Sequence, residues 1–190
     1  MKTQELLCII FSITVLSVHP VHESTAQDAR TDFHRYENSE AGFSIEIPDN
    51  WTIDTRLHGS EDTQEQHTFY VFSGPEETPG NRTGITVIIS PNRLKSPQDY
   101  MTNLLSSYAS SFKEFTLDSK RELIIDGRSF ASFTIHHTLA SRKHTMMTVF
   151  TIIDNTVYQL NAVAPSEHFD KDKALIDKIA ATFRIIKEDD

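Results

Sequence analysis

Apolar side chains fall on both faces of the strands predicted between residues 128 and 163. If the loop after the first strand is 140–143, one face of that strand carries Ala131, Phe133, Ile135, His137 and Leu139, and the other carries Phe130, Ser132, Thr134 and His136. The following strands also carry apolar residues on both faces. One set is Met147, Val149, Ile153, Tyr158 and Leu160, and the opposite set is Met146, Phe150, Ile152, Val157 and Val163. Because an apolar face must be removed from water, this sheet has to be covered on both sides.

Two amphipathic helices are available as the covers. Ser96 predicts an N-cap, followed by Pro97 at the first helical position and Asp99 in the first turn. The apolar face of this helix is Met101, Leu104, Leu105, Tyr108 and Phe112. Ser166 predicts the N-cap of a second helix, whose apolar face is Phe169, Leu175, Ile176, Ile179, Ala180 and Phe183. These patterns predict an α+β fold, a three-layer α/β/α sandwich with a mostly antiparallel sheet covered by two helices.

Turn residues divide the remaining chain into strands. Asp126-Gly127 and Asp154-Asn155 each fit a two-residue type I′ turn, which predicts an antiparallel meander. The segment GFSIEIPDNW, residues 42–51, predicts a strand, a turn and a second strand. Strands are predicted over 67–73 and 84–90, joined by a hairpin loop at 74–83, and residues 56–66 are predicted to be an acidic loop.

The N-terminus has the pattern of an export signal. An uncharged stretch runs from Leu6 to Val18, shorter than the roughly 20 apolar residues that span a membrane. Small residues precede a predicted cut between Ala26 and Gln27, and the alternative is an uncleaved anchor. The predicted organisation is a signal peptide at 1–26, a flexible lead-in at 27–38, a single domain at 39–187 and an acidic tail at 188–190.

Cysteine content and charge exclude several classes of function. The chain's one cysteine, Cys8, lies inside the predicted signal, so the exported part would have no disulfide, thiolate metal site or cysteine nucleophile. The formal net charge is −9, and lysine and arginine are not clustered. Nucleic acid is therefore not predicted as a partner, and neither is a stable membrane anchor.

Two segments carry a resemblance to a known family. GFSIEIPDNW, at 42–51, resembles the opening hairpin of the PsbP-like and DcrB-like exported proteins. FDKDKALIDKIAATFRI, at 169–185, resembles their closing helix and final short strand. The resemblance implies an α/β/α sandwich shared with the Mog family of Ran-binding proteins. Members range from extrinsic photosystem II subunits to envelope proteins, so the resemblance implies no activity and no functional residue.

One constellation of side chains predicts a metal site. With a loop at 140–143, His137 faces Met146 across two strands, and His144 is its diagonal neighbour on the same face, whereas His136 lies on the other face. Imidazole and thioether groups suit a soft ion such as copper. The structural alternative is that Met146 fills the core, His137 borders an apolar face and His144 is a solvated residue at a strand start.

The motifs of catalysis are missing from the sequence. It contains no phosphate-binding glycine loop, no G-x-S-x-G and no H-E-x-x-H. We therefore predict a non-catalytic exported accessory or binding protein without a cofactor, whose partner is another envelope or extracellular protein. The acidic loops at 56–66 and 74–83 are the candidate docking surface. The alternatives are a metal-binding protein using His137, His144 and Met146, and a hydrolase whose site only the fold assembles.

Overall fold

A computed structural model describes residues 32–59, 66–76, 82–94 and 96–186. The predicted signal peptide, its cut between Ala26 and Gln27, and the predicted tail at 188–190 lie outside these residues. The elements, in chain order, are β1 (Phe33–Asn38), β2 (Phe43–Pro48), β3 (Thr52–Gly59), β4 (Gln66–Ser73), β5 (Gly84–Pro91), α1 (Pro97–Ser111), β6 (Lys113–Ile125), β7 (Arg128–Leu139), β8 (Arg142–Ile153), β9 (Thr156–Pro165), α2 (Ser166–Ala181) and β10 (Arg184–Ile185).

The strands form two antiparallel sheets. The larger has seven strands in the order β3-β4-β5-β9-β8-β7-β6, and the smaller has the order β1-β2-β10. Strands β6 to β9 are the predicted meander. Its turns at Asp126-Gly127 and Asp154-Asn155 have positive φ at both residues, as a type I′ turn requires.

The large sheet has a core on each face, which confirms the α+β fold and its three layers. On one face, α1 packs on β6 to β9 through Tyr108, Phe112, Phe133, Ile135, Met146 and Phe150. On the other face, α2 and the small sheet share a larger core that includes Phe43, Ile45, Tyr70, Phe72, Val149, Ile176 and Phe183. The predicted apolar faces of both helices are the ones that pack. The sheet is nevertheless wider than the helices cover.

The flexible lead-in predicted at 27–38 is wrong for its last six residues. Residues 33–38 form β1, which pairs along its whole length with β2. Its side chains do not alternate in burial, and only Phe33 and Tyr36 pack on the core. Hydrogen bonds to the main chain of β2 hold β1 in place. Because these bonds do not depend on side chains, the sequence of β1 shows no alternation that would predict a strand.

The strands at 43–48 and 52–59 do not form a hairpin with each other. β2 lies between β1 and β10, whereas β3 is the edge strand of the large sheet. Because both sides of β2 are occupied, the turn at residues 49–51 passes the chain from one sheet to the other. The predicted acidic loop at 56–66 is also too long, since β3 continues to Gly59 and β4 begins at Gln66.

The helix starts differ in how they are capped. Ser96 accepts a hydrogen bond from the main-chain N–H of Asp99 at 3.1 Å, which confirms the predicted N-cap of α1. The predicted cap at Ser166 is wrong, because Pro165 holds the N-cap position and no side chain bonds there. The hydroxyl of Ser166 instead accepts a hydrogen bond from Thr145 at 3.1 Å. Among the described residues, neither helix is long and apolar enough to cross a membrane.

Candidate functional site

The turn between β7 and β8 sets the register of the predicted metal ligands. Ala140 and Ser141 form a two-residue turn with φ of 48° and 66°, so Leu139 pairs directly with Arg142. The predicted loop at 140–143 is therefore two residues too long. A type I′ turn favours glycine, asparagine or aspartate, and Ala-Ser gave no signal for one.

The shorter turn changes which residues face each other. His137 lies opposite His144, and Met146 lies opposite Ile135. Because side chains alternate with a period of two, a register change of two residues leaves all three predicted ligands on one face. The structure therefore brings the two histidines into a direct cross-strand pair, with Met146 one position along the same face.

The two histidines belong to a stack of three rings. The ring of Phe112, at the end of α1, lies 4.0 Å from that of His137, with 19° between the planes. The His137 and His144 centroids are 5.6 Å apart, with 20° between the planes. His137 is only 2% exposed, whereas His144 is half-buried.

Burial weakens the basicity of both rings. Loss of solvation lowers the pKa of His137 to about 4, with smaller contributions from His144 and His136. Loss of solvation also lowers the pKa of His144, with a hydrogen bond to the carbonyl of Arg142 opposing it. Both side chains are therefore neutral at pH 7, the form in which imidazole binds a metal.

The rings as placed do not converge on one point. The lone pair of an imidazole nitrogen lies in the ring plane, so nearly parallel rings direct their lone pairs side by side. A shared ion requires rotation of one ring, and His144 is the less enclosed of the two. Met146 is 1% exposed within the α1 core. In the described part of the chain, no three His, Cys, Asp or Glu side chains are grouped to hold a metal.

His136 lies on the opposite face of β7, as predicted. Its Nδ1 is 2.9 Å from the hydroxyl of Thr145. The sheet thus separates it from the His137–His144 pair.

A buried polar network lies beneath α1. The Tyr100 hydroxyl donates to Gln159 Oε1 at 2.7 Å, and Gln159 Nε2 lies 2.9 Å from Asn161 Oδ1 and 3.3 Å from the Tyr108 hydroxyl. Thr148 completes the network by donating to Asn161 Oδ1 at 2.8 Å. Burial raises the pKa of Tyr108 to about 12 and raises that of Tyr100 as well. The network fixes α1 to β8 and β9 and holds both phenols protonated.

Sequence reasoning missed this network. Gln159 and Asn161 are both buried and occupy alternate positions of β9, so they share one face of an otherwise apolar strand. Two amide side chains two residues apart, in a strand predicted to be covered on both faces, could have indicated it. Buried amides need hydrogen-bond partners, so such a pair predicts a polar network.

A depression of about 670 Å³ lies on the outer side of α1. Its lining is polar, apart from one leucine: Arg93, Leu94, Asp99, Thr102, Asn103 and Ser106. It is a groove between the helix and the preceding loop, and it is separate from the histidine pair.

Helix α1 lies over only part of the width of the large sheet. The side chains that pack with α1 lie on β6 to β9, and within the described ranges no helix lies over β3 to β5 on that face. Asp54 is exposed there, and Val71 and Thr86 are half-buried, while Phe69 and Ile88 are buried deeper on the same strands. The opposite face of these strands is covered by the small sheet.

The predicted docking loops are described only in part. Residues 74–76 and 82–83 border the second loop, and its two ends meet where the Gly74 N–H donates to the Thr83 carbonyl at 2.9 Å. Thr83 also donates through its hydroxyl to Asp172 of α2. These bonds hold the base of the loop against the helix, while residues 60–65 and 77–81 lie outside the described residues.

Solved structures with this fold come from distant organisms. Cyanobacterial PsbP (CyanoP) of Synechocystis sp. PCC 6803 is 15% identical with a TM-score of 0.61, over 86% of this chain and 98% of its own. LpqN of Mycobacterium tuberculosis is 16% identical with a TM-score of 0.55, over 76% and 83%. The Ran-binding protein Mog1p of Saccharomyces cerevisiae is 10% identical with a TM-score of 0.52, over 83% and 97%. At these identities the likeness shows the fold alone.

A family comparison extends over most of the sequence. No curated protein sequence matches this chain. The model of the PsbP family, however, matches residues 31–185, from just before β1 to the end of β10. This chain therefore belongs to the PsbP family.

Proposed function

We propose that this protein is an exported, non-catalytic accessory protein that binds another protein of the cell envelope or the extracellular space. The observation that carries the proposal is the half of the α1 face, over β3 to β5, that has no helix above it in the described chain. A rigid sheet that presents mixed polar and apolar groups is suited to protein binding.

This helix-free half, over β3 to β5, presents both polar and apolar groups. Asp54 and Arg56 form an ion pair at 2.7 Å on β3, next to the apolar side chain of Val71 on β4. The described base of the hairpin between β4 and β5 borders this half, and it is held by the bond from the Gly74 N–H to the Thr83 carbonyl. A partner would therefore meet a surface that is already ordered, which lowers the entropic cost of binding.

The shifted pKa values support a non-catalytic role. Within the described residues they belong to tyrosines and to the His137–His144 pair. The two largest tyrosine shifts arise in the packed interface between α1 and the sheet, where the phenols serve as hydrogen-bonding groups of the core. A catalytic acid or base needs access to substrate, which these phenols lack.

The named functions of similar structures are compatible with the proposal. LpqN is described as involved in cell envelope biogenesis, and Mog1p as a Ran-binding protein. For this chain, export rests on the N-terminal sequence, from Leu6 to Ala26. N-terminal sequencing of the protein recovered outside the cytoplasm tests it, and we expect the first residue to be Gln27. A protein that keeps its first 26 residues would contradict cleavage.

Site-specific crosslinking in the exporting cell tests the binding surface. A photoreactive residue at Thr86 or Asp54 should capture one discrete protein, because Asp54 is exposed and Thr86 is half-buried on the helix-free half. The matched control is the same group at Asp170, an exposed position on α2 on the opposite side of the molecule. Equal capture from all three positions, or none from Thr86 and Asp54, would contradict the proposed surface.

A soft metal ion is a second candidate ligand, favoured by the direct pairing of His137 with His144. Titration of copper or zinc into the purified exported protein should show one bound ion per chain if the pair binds. The His144→Gln variant should lose this binding, and the His136→Gln variant, altered on the other face, should keep it. Absence of stoichiometric binding, or equal loss in both variants, would exclude the pair as a metal site.

A further inference from the structure

Strand β6 is the long free edge of the large sheet. It spans Lys113–Ile125 and pairs only with β7 among the described strands. Most of its side chains are exposed, including two large apolar ones: Ile124 is 72% exposed and Leu117 is 37% exposed. An exposed strand edge is a template for pairing with another strand.

The β6–β7 turn determines which main-chain groups face outward. In a two-residue hairpin, the residues flanking the turn exchange both main-chain hydrogen bonds, so Ile125 bonds to Arg128. Alternate residues then direct their N–H and carbonyl groups away from β7. The outward groups are those of Lys120, Glu122 and Ile124.

The same residues make a self-complementary pattern on the α1 face. Lys120 pairs with Phe133 and Glu122 with Ala131 on β7, and both β7 residues belong to the core under α1. Leu117 lies on this face too, because Asp118 is the extra residue of a bulge between Leu117 and Ser119. Along β6 this face therefore presents, in order, the apolar Leu117, the positive Lys120, the negative Glu122 and the apolar Ile124.

We propose that β6 pairs antiparallel with β6 of a second copy of this chain, about a two-fold axis at Arg121. In this register Lys120 of each copy lies opposite Glu122 of the other, so the axis generates two ion pairs. Ile124 of each copy then lies beside Leu117 of the other, because the bulge at Asp118 brings Leu117 to that position. The two most exposed apolar groups of β6 thus cover each other.

Neighbouring registers lack this complementarity. An axis at Lys120 would place the two Lys120 side chains opposite each other and Glu122 opposite Leu117, and an axis at Glu122 would place Lys120 opposite Ile124. Like charges directly opposed destabilise a strand pair, and a charge gains nothing from an apolar partner. Charges on edge strands commonly prevent association, but the alternating signs of this edge complement a reversed copy of itself.

The residue on the axis is compatible with close approach. Arg121 lies on the other face of the sheet, where its guanidinium is 3.5 Å from Asp177 of α2 and 3.4 Å from the sulfur of Met147. Each copy therefore partly neutralises its own Arg121. The two Arg121 Cα atoms would form a non-hydrogen-bonded pair about 4.5 Å apart.

Sedimentation equilibrium of the exported protein tests the pairing. We expect the mass to rise with concentration to twice that of one chain. Lys120→Glu and Glu122→Lys should each weaken association about tenfold or more, because attraction becomes repulsion at both symmetric positions. The double variant, which exchanges the two charges, should restore it. Ile53→Lys on the opposite edge strand, where Ile53 is 39% exposed, is the matched control and should leave association unchanged.

A disulfide reports the register directly. Arg121→Cys should crosslink two copies under mild oxidation, because cysteines at this separation satisfy disulfide geometry. Ser119→Cys, two residues from the axis on the same face, should not. A protein of single-chain mass at all concentrations would overturn the proposal, as would association that survives both single charge reversals or a double variant that fails to associate.

Discussion

The imidazole of His137 lies between the ring of Phe112 and that of His144, with centroids 4.0 and 5.6 Å away. This stack joins the end of α1 to the β7–β8 hairpin. It places a titratable group inside an apolar interface, where its charged form is disfavoured. The stability of the protein should therefore depend on the protonation of His137.

We expect the free energy of unfolding to fall as the pH is lowered from about 6.5 to about 4. The pKa of His137 is about 4 in the folded chain, against an ordinary value of 6.5, so the unfolded chain binds the proton more tightly. The stabilisation is complete above pH 6.5 and is lost as the pH falls toward 4. Its upper limit is about 3 kcal/mol.

Urea unfolding at a series of pH values measures this dependence. His137→Leu should flatten the slope between pH 6.5 and 4, leaving the share that belongs to His144. His136→Gln, on the opposite face, should retain the wild-type slope. A slope unchanged by His137→Leu would show that the ring does not carry the effect.

The buried amide of Gln159 should contribute strongly to stability through the groups it satisfies. Gln159→Leu leaves the Tyr100 hydroxyl without its acceptor and removes one of the two amide donors of the Tyr108 hydroxyl, which keeps Asn161 Nδ2 at 3.4 Å. An unsatisfied buried hydroxyl such as that of Tyr100 costs about 1–3 kcal/mol. Thermal unfolding should show the loss. Adding Tyr100→Phe to Gln159→Leu should recover part of it, because the unsatisfied hydroxyl is removed with its partner. A double variant less stable than Gln159→Leu alone would contradict this account.

Gly42 and Gly127 should respond differently to alanine. Both have φ of +72°, but a Cβ at Gly42 would lie 3.2 Å from the Ile186 carbonyl oxygen and 3.2 Å from the Tyr158 hydroxyl, whereas one at Gly127 has open space. Gly127→Ala should cost about 1 kcal/mol for the left-handed backbone alone. Gly42→Ala should cost more, because it also separates β2 from the chain after β10, where the Ile186 N–H donates to the Gly42 carbonyl at 2.8 Å. Equal losses in denaturant unfolding would exclude the close approach as a cause.

The layers of the fold were readable from local patterns. Strands with apolar groups on both faces and two helices with apolar stripes require a covered sheet, because burial of those groups drives folding. The cap at Ser96 and the turn at Asp126-Gly127 were also predictable, since each depends on residues adjacent in sequence. These features, with the PsbP resemblance, are what the amino-acid sequence determined by itself.

Strand pairing was decided by the tertiary structure. β1 is held by main-chain bonds to β2, and the turn at Ala140-Ser141 adopts positive φ at residues that do not favour it. Main-chain hydrogen bonds are the same for every residue type except proline. The side-chain pattern therefore shows which face of a strand is buried more readily than it shows which strand lies beside it. The His137–His144 pair and the free edge of β6 both follow from such pairings. The sequence placed the histidines on one face, and only the folded sheet set them opposite each other.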